Sequence, residues 1–218
     1  MRSFSALAIA ANLALSSAAA IPVQKRDTSL CSLLGITPAI NALTELGSSV
    51  WIGDNGPYVS EFINNSGEDI EVVVWGAASS WVNVAAPLIA QPLANGSSFN
   101  VSFASGSSGA WAAVYEDTKM LNGQISNTWG EYTFNGQFST FDVSRLPNMN
   151  GRDMTITGTE CKSNMDTCVF TCDAGETCMT GYNLLNCDGP GAQSGSYAGA
   201  ASGGCLVGTN TFITTTFE

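Results

Sequence analysis

The stretch "GEYTFNGQFSTFDVS", residues 130–144, predicts two short antiparallel strands joined by a tight turn. Apolar and polar side chains alternate on both sides of Asn135-Gly136, a dipeptide that favours a two-residue hairpin turn. With such a turn, Phe134 pairs with Gln137, and every following pair is fixed. Because side chains of a strand alternate between its two faces, one face of this hairpin is expected to be buried.

The other face of the predicted hairpin carries two carboxylates. The buried face holds Tyr132, Phe134, Phe141 and Val143, and the polar face holds Glu131, Thr133, Phe138, Thr140 and Asp142. In this register Glu131 pairs with Thr140 and is a diagonal neighbour of Asp142, with alpha carbons about 7–8 Å apart. Glycoside hydrolases use carboxyl separations of about 5–5.5 Å or 6.5–9.5 Å. Glu131 and Asp142 are therefore candidate ligand-binding or catalytic residues, and ordinary solvated strand residues are the alternative.

The N-terminal residues have the layout of a secretory leader. Residues 1–20 contain one early positive charge, an apolar run and small residues up to Ala20, which predicts signal-peptide cleavage there. Residues 21–26 end in a dibasic pair at Arg26, which predicts a short pro-segment removed by a second cut. The rest of the sequence has no apolar stretch of membrane-spanning length. We expect a secreted, extracellular protein without a membrane span.

Charge and composition narrow the classes of function. Removal of residues 1–26 leaves four basic residues against eighteen acidic ones, a net charge of −14. Such a domain repels nucleic acid and anionic membranes, whereas neutral polysaccharides and cationic molecules remain possible binding partners. The sequence has no histidine, which excludes serine–histidine and cysteine–histidine catalysis as well as histidine metal centres. Nucleotide-binding glycine motifs are also missing, so we expect no cofactor, and only carboxylates remain for acid–base chemistry.

Seven cysteines follow the leader, and six of them lie in the last quarter of the chain. They are Cys31, Cys161, Cys168, Cys172, Cys178, Cys187 and Cys205. In an oxidising compartment this pattern predicts disulfides, and the competing zinc site lacks histidine and paired C-x-x-C motifs. Because the number is odd, one cysteine is unpaired within the chain. Cys31 is either that thiol or a long-range staple.

Three regions follow the leader and pro-segment. Residues 27–47 place apolar side chains near helical spacing, which predicts an N-terminal helical extension. Residues 48–158 contain short alternating strands with frequent turns, including an expected hairpin around residues 65–67, and predict a β-sandwich core. Residues 159–218 are rich in glycine and cysteine and predict disulfide-stapled loops. The expected fold class is all-β.

Glycans and tryptophans are further candidates for surface features. The sequons at Asn64, Asn95 and Asn100 lie in turns or on the outward side of a strand, which predicts glycosylation at one or more of them. The tryptophans could form a sugar-stacking platform, or they could belong to the core. They are Trp51, Trp75, Trp81, Trp111 and Trp129.

Three segments together resemble the strand order of thaumatin-like (osmotin-like) proteins over roughly residues 57–157. They read "FINNSGEDIEVVVWG", "LANGSSFNVSFASGSSGAWAAVYEDT" and "WGEYTFNGQFSTFDVSRLPNMNGRDMTI". The resemblance implies a β-sandwich with disulfide-rich loops and an acidic cleft, where some members bind or cleave β-1,3-glucan. It also implies a divergent member of the effector type that fungi secrete.

The resemblance places Glu131 at the cleft glutamate and Asp142 at the first cleft aspartate. The second cleft aspartate falls at Pro147, the family arginine falls at Ala113, and the T-G-D-C signature is missing. These departures imply a reduced cleft. We therefore expect binding of a cell-wall polysaccharide of the β-1,3-glucan class rather than catalysis. The alternatives are a weak endo-β-1,3-glucanase that uses the two carboxylates and an effector that binds an extracellular host protein, with the oligomeric state left open.

Overall fold

Two β-sheets that pack face to face form the centre of the protein. The computed structural model describes residues 29–76, 84, 86–136, 139–208 and 210–218. The predicted cleavage sites at Ala20 and Arg26, and Trp81, lie outside the described residues. The described part is almost entirely β with several sheets and three disulfides, which confirms the expected all-β fold.

The described residues form one short helix, α1 (Leu30–Leu33), and seventeen strands. The strands are β1 Val50–Ile52, β2 Tyr58–Asn64, β3 Ile70–Gly76, β4 Pro87–Leu93, β5 Ser98–Phe103, β6 Ser107–Val114, β7 Met120–Leu121, β8 Gln124–Ile125, β9 Trp129–Phe134, β10 Ser139–Ser144, β11 Met154–Thr157, β12 Lys162–Ser163, β13 Val169–Cys172, β14 Tyr182–Leu185, β15 Ala192–Tyr197, β16 Ala200–Val207 and β17 Thr211–Phe217. Strands β7 and β8 form a separate small ribbon.

The six-stranded sheet has the order β1-β5-β2-β17-β11-β12. Its strand β17 pairs in parallel with β2 over seven residues, from Thr211 opposite Tyr58 to Phe217 opposite Asn64. On its other side β17 pairs antiparallel with β11. The predicted boundary after residue 158 stays a prediction, and β17 lies beyond it in the middle of this sheet.

The nine-stranded sheet follows the order β14-β13-β10-β9-β6-β3-β4, and β16 with β15 joins it at β10. One edge of β10 is shared by two strands. Strand β16 pairs with residues 139–141, and β13 pairs in parallel with Val143 and Ser144. The sheet therefore divides at Asp142, and this fork separates β13–β14 from β15–β16.

Aromatic side chains fill the space between the two sheets. Tyr132 lies within 4.7 Å of Phe103 and 5.5 Å of Trp111, measured between ring centroids. Two glycines permit this packing because an added Cβ would collide with fixed atoms. At Gly109 it would lie 2.0 Å from the carbonyl oxygen of Trp75, and at Gly130 it would lie 2.2 Å from the indole nitrogen of Trp111.

The predicted hairpin around residues 65–67 is wrong, because β2 and β3 belong to different sheets. Asn64, at the end of β2, is fully buried, and its amide donates to the carbonyl oxygens of Glu68 and Leu93 at 2.8 and 2.9 Å. These bonds direct the chain from one sheet to the other. A glycan on Asn64 would displace both hydrogen bonds, which makes this sequon the poorest acceptor of the three.

The N-terminal extension packs on the outer face of the nine-stranded sheet through one helical turn. The Ser29 hydroxyl lies 2.8 and 2.7 Å from the two carboxylate oxygens of Glu71, and the Cys31 amide donates to Glu71 at 3.0 Å. Leu30, Cys31 and Ile36 are buried. The helix ends at Leu33, so the helical periodicity expected for the rest of the extension is not seen. Four large aliphatic side chains of the extension are exposed, namely Leu33, Ile40, Leu43 and Leu46.

Three disulfides hold the C-terminal region, and Cys31 is the unpaired cysteine. The pairs are Cys161–Cys205, Cys168–Cys187 and Cys172–Cys178. The sulfur atoms of Cys161, Cys168 and Cys205 lie within 4.8 Å of one another, but all three are oxidised. Among the described residues, no helix has the length and hydrophobicity to cross a bilayer.

Gly109→Ala should destabilise the protein by about 1–3 kcal/mol, the usual effect of overpacking a core. The new methyl group would meet main-chain atoms of β3 and, at 2.8 Å, the hydroxyl of Tyr132. Urea unfolding with the disulfides intact measures the change. The control is Gly47→Ala, whose methyl group would have no neighbour within 4 Å. Equal unfolding free energies for the two variants would contradict the packing at Gly109.

Cys31 should not react with thiol reagents in the folded protein. It is 4% exposed, and its burial, followed by the charge of Glu71, raises its thiol pKa, so that little reactive thiolate forms. Thiol titration is expected to find no reactive thiol in the native protein and one per chain in denaturant without reductant. Cys31→Ala should remove that one thiol. Three thiols per denatured chain would contradict the disulfide pairing.

Candidate functional site

Glu131 and Asp142 lie directly opposite each other on the paired strands β9 and β10. The predicted register, in which Glu131 faces Thr140, is wrong by two residues. A directly opposed pair brings the alpha carbons to about 4.5–5.5 Å, closer than the diagonal arrangement expected from the sequence. The two carboxylates are thus the closest kind of cross-strand neighbours.

The register differs because β9 ends at Phe134 and β10 begins at Ser139, so that more than two residues separate the strands. A type I′ turn needs positive φ at both central residues, but among the described residues only Gly136 of the Asn135-Gly136 pair has it, at +57°. The amide of Asn135 donates to the Ser139 hydroxyl oxygen at 2.9 Å, and that oxygen lies 2.8 Å from the carbonyl oxygen of Gly136. The Tyr58 hydroxyl accepts the Gly136 amide at 3.0 Å. These bonds hold the longer loop.

The assignment of the other side chains to faces is unaffected by this shift, whereas Phe138, predicted on the polar face, lies outside the described residues. Tyr132, Phe134, Phe141 and Val143 are buried in the core between the sheets. The opposite face of β9 and β10 lines a cavity of about 670 Å³, bounded on its other side by the cysteine-rich region. We call it the carboxylate cavity, and its floor consists of Ser108, Glu131, Thr133, Thr140 and Asp142.

Burial dominates the electrostatics of the two carboxyl groups. It raises the pKa of Glu131 to about 7. Burial, and then the charge of Glu131, hold the pKa of Asp142 well above its usual range. The pair therefore keeps protons at pH values where ordinary carboxyl groups are ionised.

Asp142 lies at the fork of the nine-stranded sheet and is only 5% exposed. Its Oδ1 atom has no hydrogen-bond partner among the described residues. On the other side, Gly204 of β16 approaches so closely that an added Cβ would lie 3.3 Å from Oδ2 and 2.7 Å from the carbonyl oxygen of Phe141. An unpaired buried acceptor carries a free-energy cost, which a ligand that donates to it would remove.

The walls of the carboxylate cavity come from the C-terminal region and include aromatic side chains. Tyr182 of β14 packs edge-on against Phe170 with ring centroids 5.9 Å apart. Tyr197 lines the cavity from the end of β15 and is 81% exposed. Sequence reasoning missed both tyrosines, because they lie in a region expected to form loops.

The tryptophans do not form a platform within the described residues. Trp51, Trp75, Trp111 and Trp129 are at most 4% exposed, and the indole of Trp129 donates to the carbonyl oxygen of Ile125. The sequon residue Asn95 is exposed and Asn100 is partly buried. Pro147 lines the cavity wall, whereas Ala113 is buried in the core.

Glu131→Gln should flatten the pH dependence of stability. An acid whose pKa is raised by folding contributes stability that is fully present below its unfolded pKa, 4.5 for Glu131, and lost as the pH rises through about 7. The wild-type unfolding free energy should therefore fall between these values by about 1–3 kcal/mol more than that of the variant. Urea unfolding across this range measures it.

Asp188→Asn is the matched control for this prediction, because Asp188 is exposed and does not line the cavity. It removes one negative charge without touching the buried pair, so its pH profile should follow the wild type. Parallel profiles for wild type and Glu131→Gln would contradict the raised pKa of Glu131.

Comparison with known proteins replaces the thaumatin-like assignment. A family model described as "Allergen Asp f 4-like domain" matches residues 53–195, so the resemblance to thaumatin-like proteins is wrong. No curated protein sequence matches the chain. The protein elicitor MoHrip2 from Magnaporthe oryzae is similar in its crystal structure at 15% identity and a TM-score of 0.38, over 72% of this chain and 97% of that one. The family model covers well over half of the sequence, and the chain therefore belongs to the Allergen Asp f 4-like family.

Proposed function

We propose that this is a secreted protein that binds a cell-wall saccharide in the carboxylate cavity without cleaving it. The observation that carries the proposal is the cavity itself, which combines the unpaired Oδ1 atom of Asp142 with a wall that contains Tyr182 and Tyr197. Three disulfides are consistent with an extracellular protein.

The lining of the cavity suits a polyhydroxylated ligand. Saccharide hydroxyls donate to carboxylate oxygens and exchange hydrogen bonds with the hydroxyls of Ser108, Thr133 and Thr140. The apolar face of a pyranose ring packs on an aromatic side chain, a role that Tyr182 and Tyr197 can take. Ligand pockets commonly enclose about 300–1,000 Å³, and this cavity falls in that range.

The electrostatics favour binding over hydrolysis. Glycosidases keep one carboxyl group protonated and the other ionised, because their environments push the two pKa values apart. Here burial raises the pKa of both Glu131 and Asp142. Because the shift has the same direction in both groups, the pair supports a ligand-binding role, and hydrolysis of β-1,3-glucan is the outcome that would reverse this assignment.

An effector that binds a protein of another organism is the second candidate function. The observation that favours it is the N-terminal extension, whose side chains at Leu33, Ile40, Leu43 and Leu46 are 67–97% exposed. Large exposed aliphatic side chains often mark protein interaction surfaces. A protein partner bound there would leave Glu131 and Asp142 without a role in binding.

Pull-down on insoluble wall polysaccharides, with β-1,3-glucan, chitin and deacetylated chitin in separate arms, tests the saccharide proposal. We expect retention on at least one of them and at least about a tenfold loss of affinity for the double variant Glu131→Gln/Asp142→Asn, because each variant replaces a carboxyl oxygen that accepts hydrogen bonds with an amide group. Tyr182→Ala should also weaken retention, and Asp188→Asn should not. Reducing-end release from soluble β-1,3-glucan is expected to stay at background. Retention that the double variant preserves, or no retention at all, would refute the proposal.

A further inference from the structure

We propose that the saccharide selected by the carboxylate cavity carries a free amino group, as in a deacetylated amino-sugar chain, with its ammonium placed between Glu131 and Asp142. This inference rests on the proposed function and names the ligand class of that same site. It follows from the charges, the unpaired acceptor and the aromatic walls of the cavity.

In the part of the chain that the structure describes, no cationic side chain lines the cavity beside the two carboxyl groups. Among the described residues that line it, Glu131 and Asp142 are the charged side chains, and neither lysine nor arginine contributes. The nearest cation along the chain, Arg145, follows β10 directly but donates to the carbonyl oxygens of Met149 and Met165 instead. Two facing carboxyl groups without a counter-ion disfavour each other's ionised state. A cationic ligand supplies the missing positive charge.

An ammonium group matches the hydrogen-bonding capacity of the pair better than a hydroxyl does. It offers three N–H donors, whereas a hydroxyl offers one. These donors can be shared between the carboxyl groups of Asp142 and Glu131, which lie directly opposite each other and both line the cavity. Such charge-assisted hydrogen bonds are stronger than those between neutral groups.

The walls of the cavity also favour a cation. Tyr182 and Tyr197 present aromatic rings, and ring faces attract ammonium groups through cation–π interactions. The net charge of −11 for the whole chain attracts cationic ligands over longer distances. Aromatic rings and carboxylates without a competing cation are the usual elements of ammonium recognition.

The size and polarity of the cavity favour an amino sugar over a lysine side chain as the source of the ammonium. A lysine tip would occupy a small part of 670 Å³, whereas a saccharide chain fills more of it. Ser108, Thr133, Thr140 and Ser202 line the same cavity, and their hydroxyls can bond to ring hydroxyls. A lysine-containing peptide is therefore the competing ligand in the test.

Binding of an ammonium should release protons from the protein. The titratable side chains that line the cavity are Glu131 from β9, Asp142 from β10, Tyr182 from β14 and Tyr197 from β15. Since burial holds protons on the two acids, a bound cation shifts them toward the ionised state. A neutral saccharide would leave this protonation largely unchanged.

Isothermal titration calorimetry with matched tetrasaccharides tests the inference. The probes are the glucosamine tetramer, its N-acetylated counterpart and a β-1,3-linked glucose tetramer, in mildly acidic buffers of different ionisation enthalpy. We expect the glucosamine tetramer to bind at least about tenfold more tightly than the acetylated one, which corresponds to about 1.4 kcal/mol, with release of protons. Glu131→Gln and Asp142→Asn should each abolish this preference, and Asp188→Asn should keep it. Near-ultraviolet circular dichroism checks that the variants are folded.

The outcomes separate the two proposals. If the acetylated or glucose tetramer binds as tightly as the glucosamine tetramer, the amino-group inference is wrong and saccharide binding stands. A preference that survives in both folded carboxyl variants would show that the cation binds elsewhere and overturn the inference. If a lysine-containing peptide binds and no saccharide does, both proposals are wrong, as they are if none of the probes binds.

Discussion

The pairing of β9 with β10 is the interaction on which the rest of the structure depends. This ladder runs through the nine-stranded sheet, and its register places Glu131 opposite Asp142. Its inner face supplies Tyr132 and Phe141 to the core. Because neighbouring side chains in a strand point to opposite faces, the packing of the aromatic face fixes the position of the carboxylates on the other. Core and cavity are two sides of one ladder.

Two disulfides lie close to the ladder that holds the two acids together. Cys205, which pairs opposite Phe141, connects β16 to Cys161, and Cys168 precedes β13 and connects to Cys187. These disulfides therefore hold the strands on the two branches of the fork at Asp142. The raised pKa values of the two acids follow from their burial in this part of the sheet.

Alternation of side chains was a reliable guide to this fold, and turn chemistry was not. The faces of β9 and β10 follow from a period of two residues, and they survive a shift of register by two. The shift itself depends on contacts made by Ser139 and Tyr58, and Tyr58 lies 81 residues away from Ser139. The hairpin predicted after Asn64 was wrong for the same reason, because the buried side-chain amide of Asn64 donates to the carbonyl oxygen of the distant Leu93. Local patterns do not contain such contacts.

Neither the cavity walls nor the family could be predicted from the sequence patterns. Tyr182 and Tyr197 lie in a glycine-rich region where few apolar residues signal a packed structure. The thaumatin-like resemblance rested on short strand segments such as "EVVVWG" and "FDVS", which satisfy the alternation rules of any β-sandwich. Segments of this kind report a pleated, half-buried surface and do not distinguish one family from another.

The central position of β17 has a consequence for biosynthesis. Its first residue pairs with a partner 153 positions earlier, Thr211 with Tyr58, and it separates β2 from β11. The six-stranded sheet cannot be completed before β17 is made, since this strand follows all the other strands of the sheet along the chain. Pairings between such distant segments form slowly. Completion of this sheet is therefore expected to be a late step in folding.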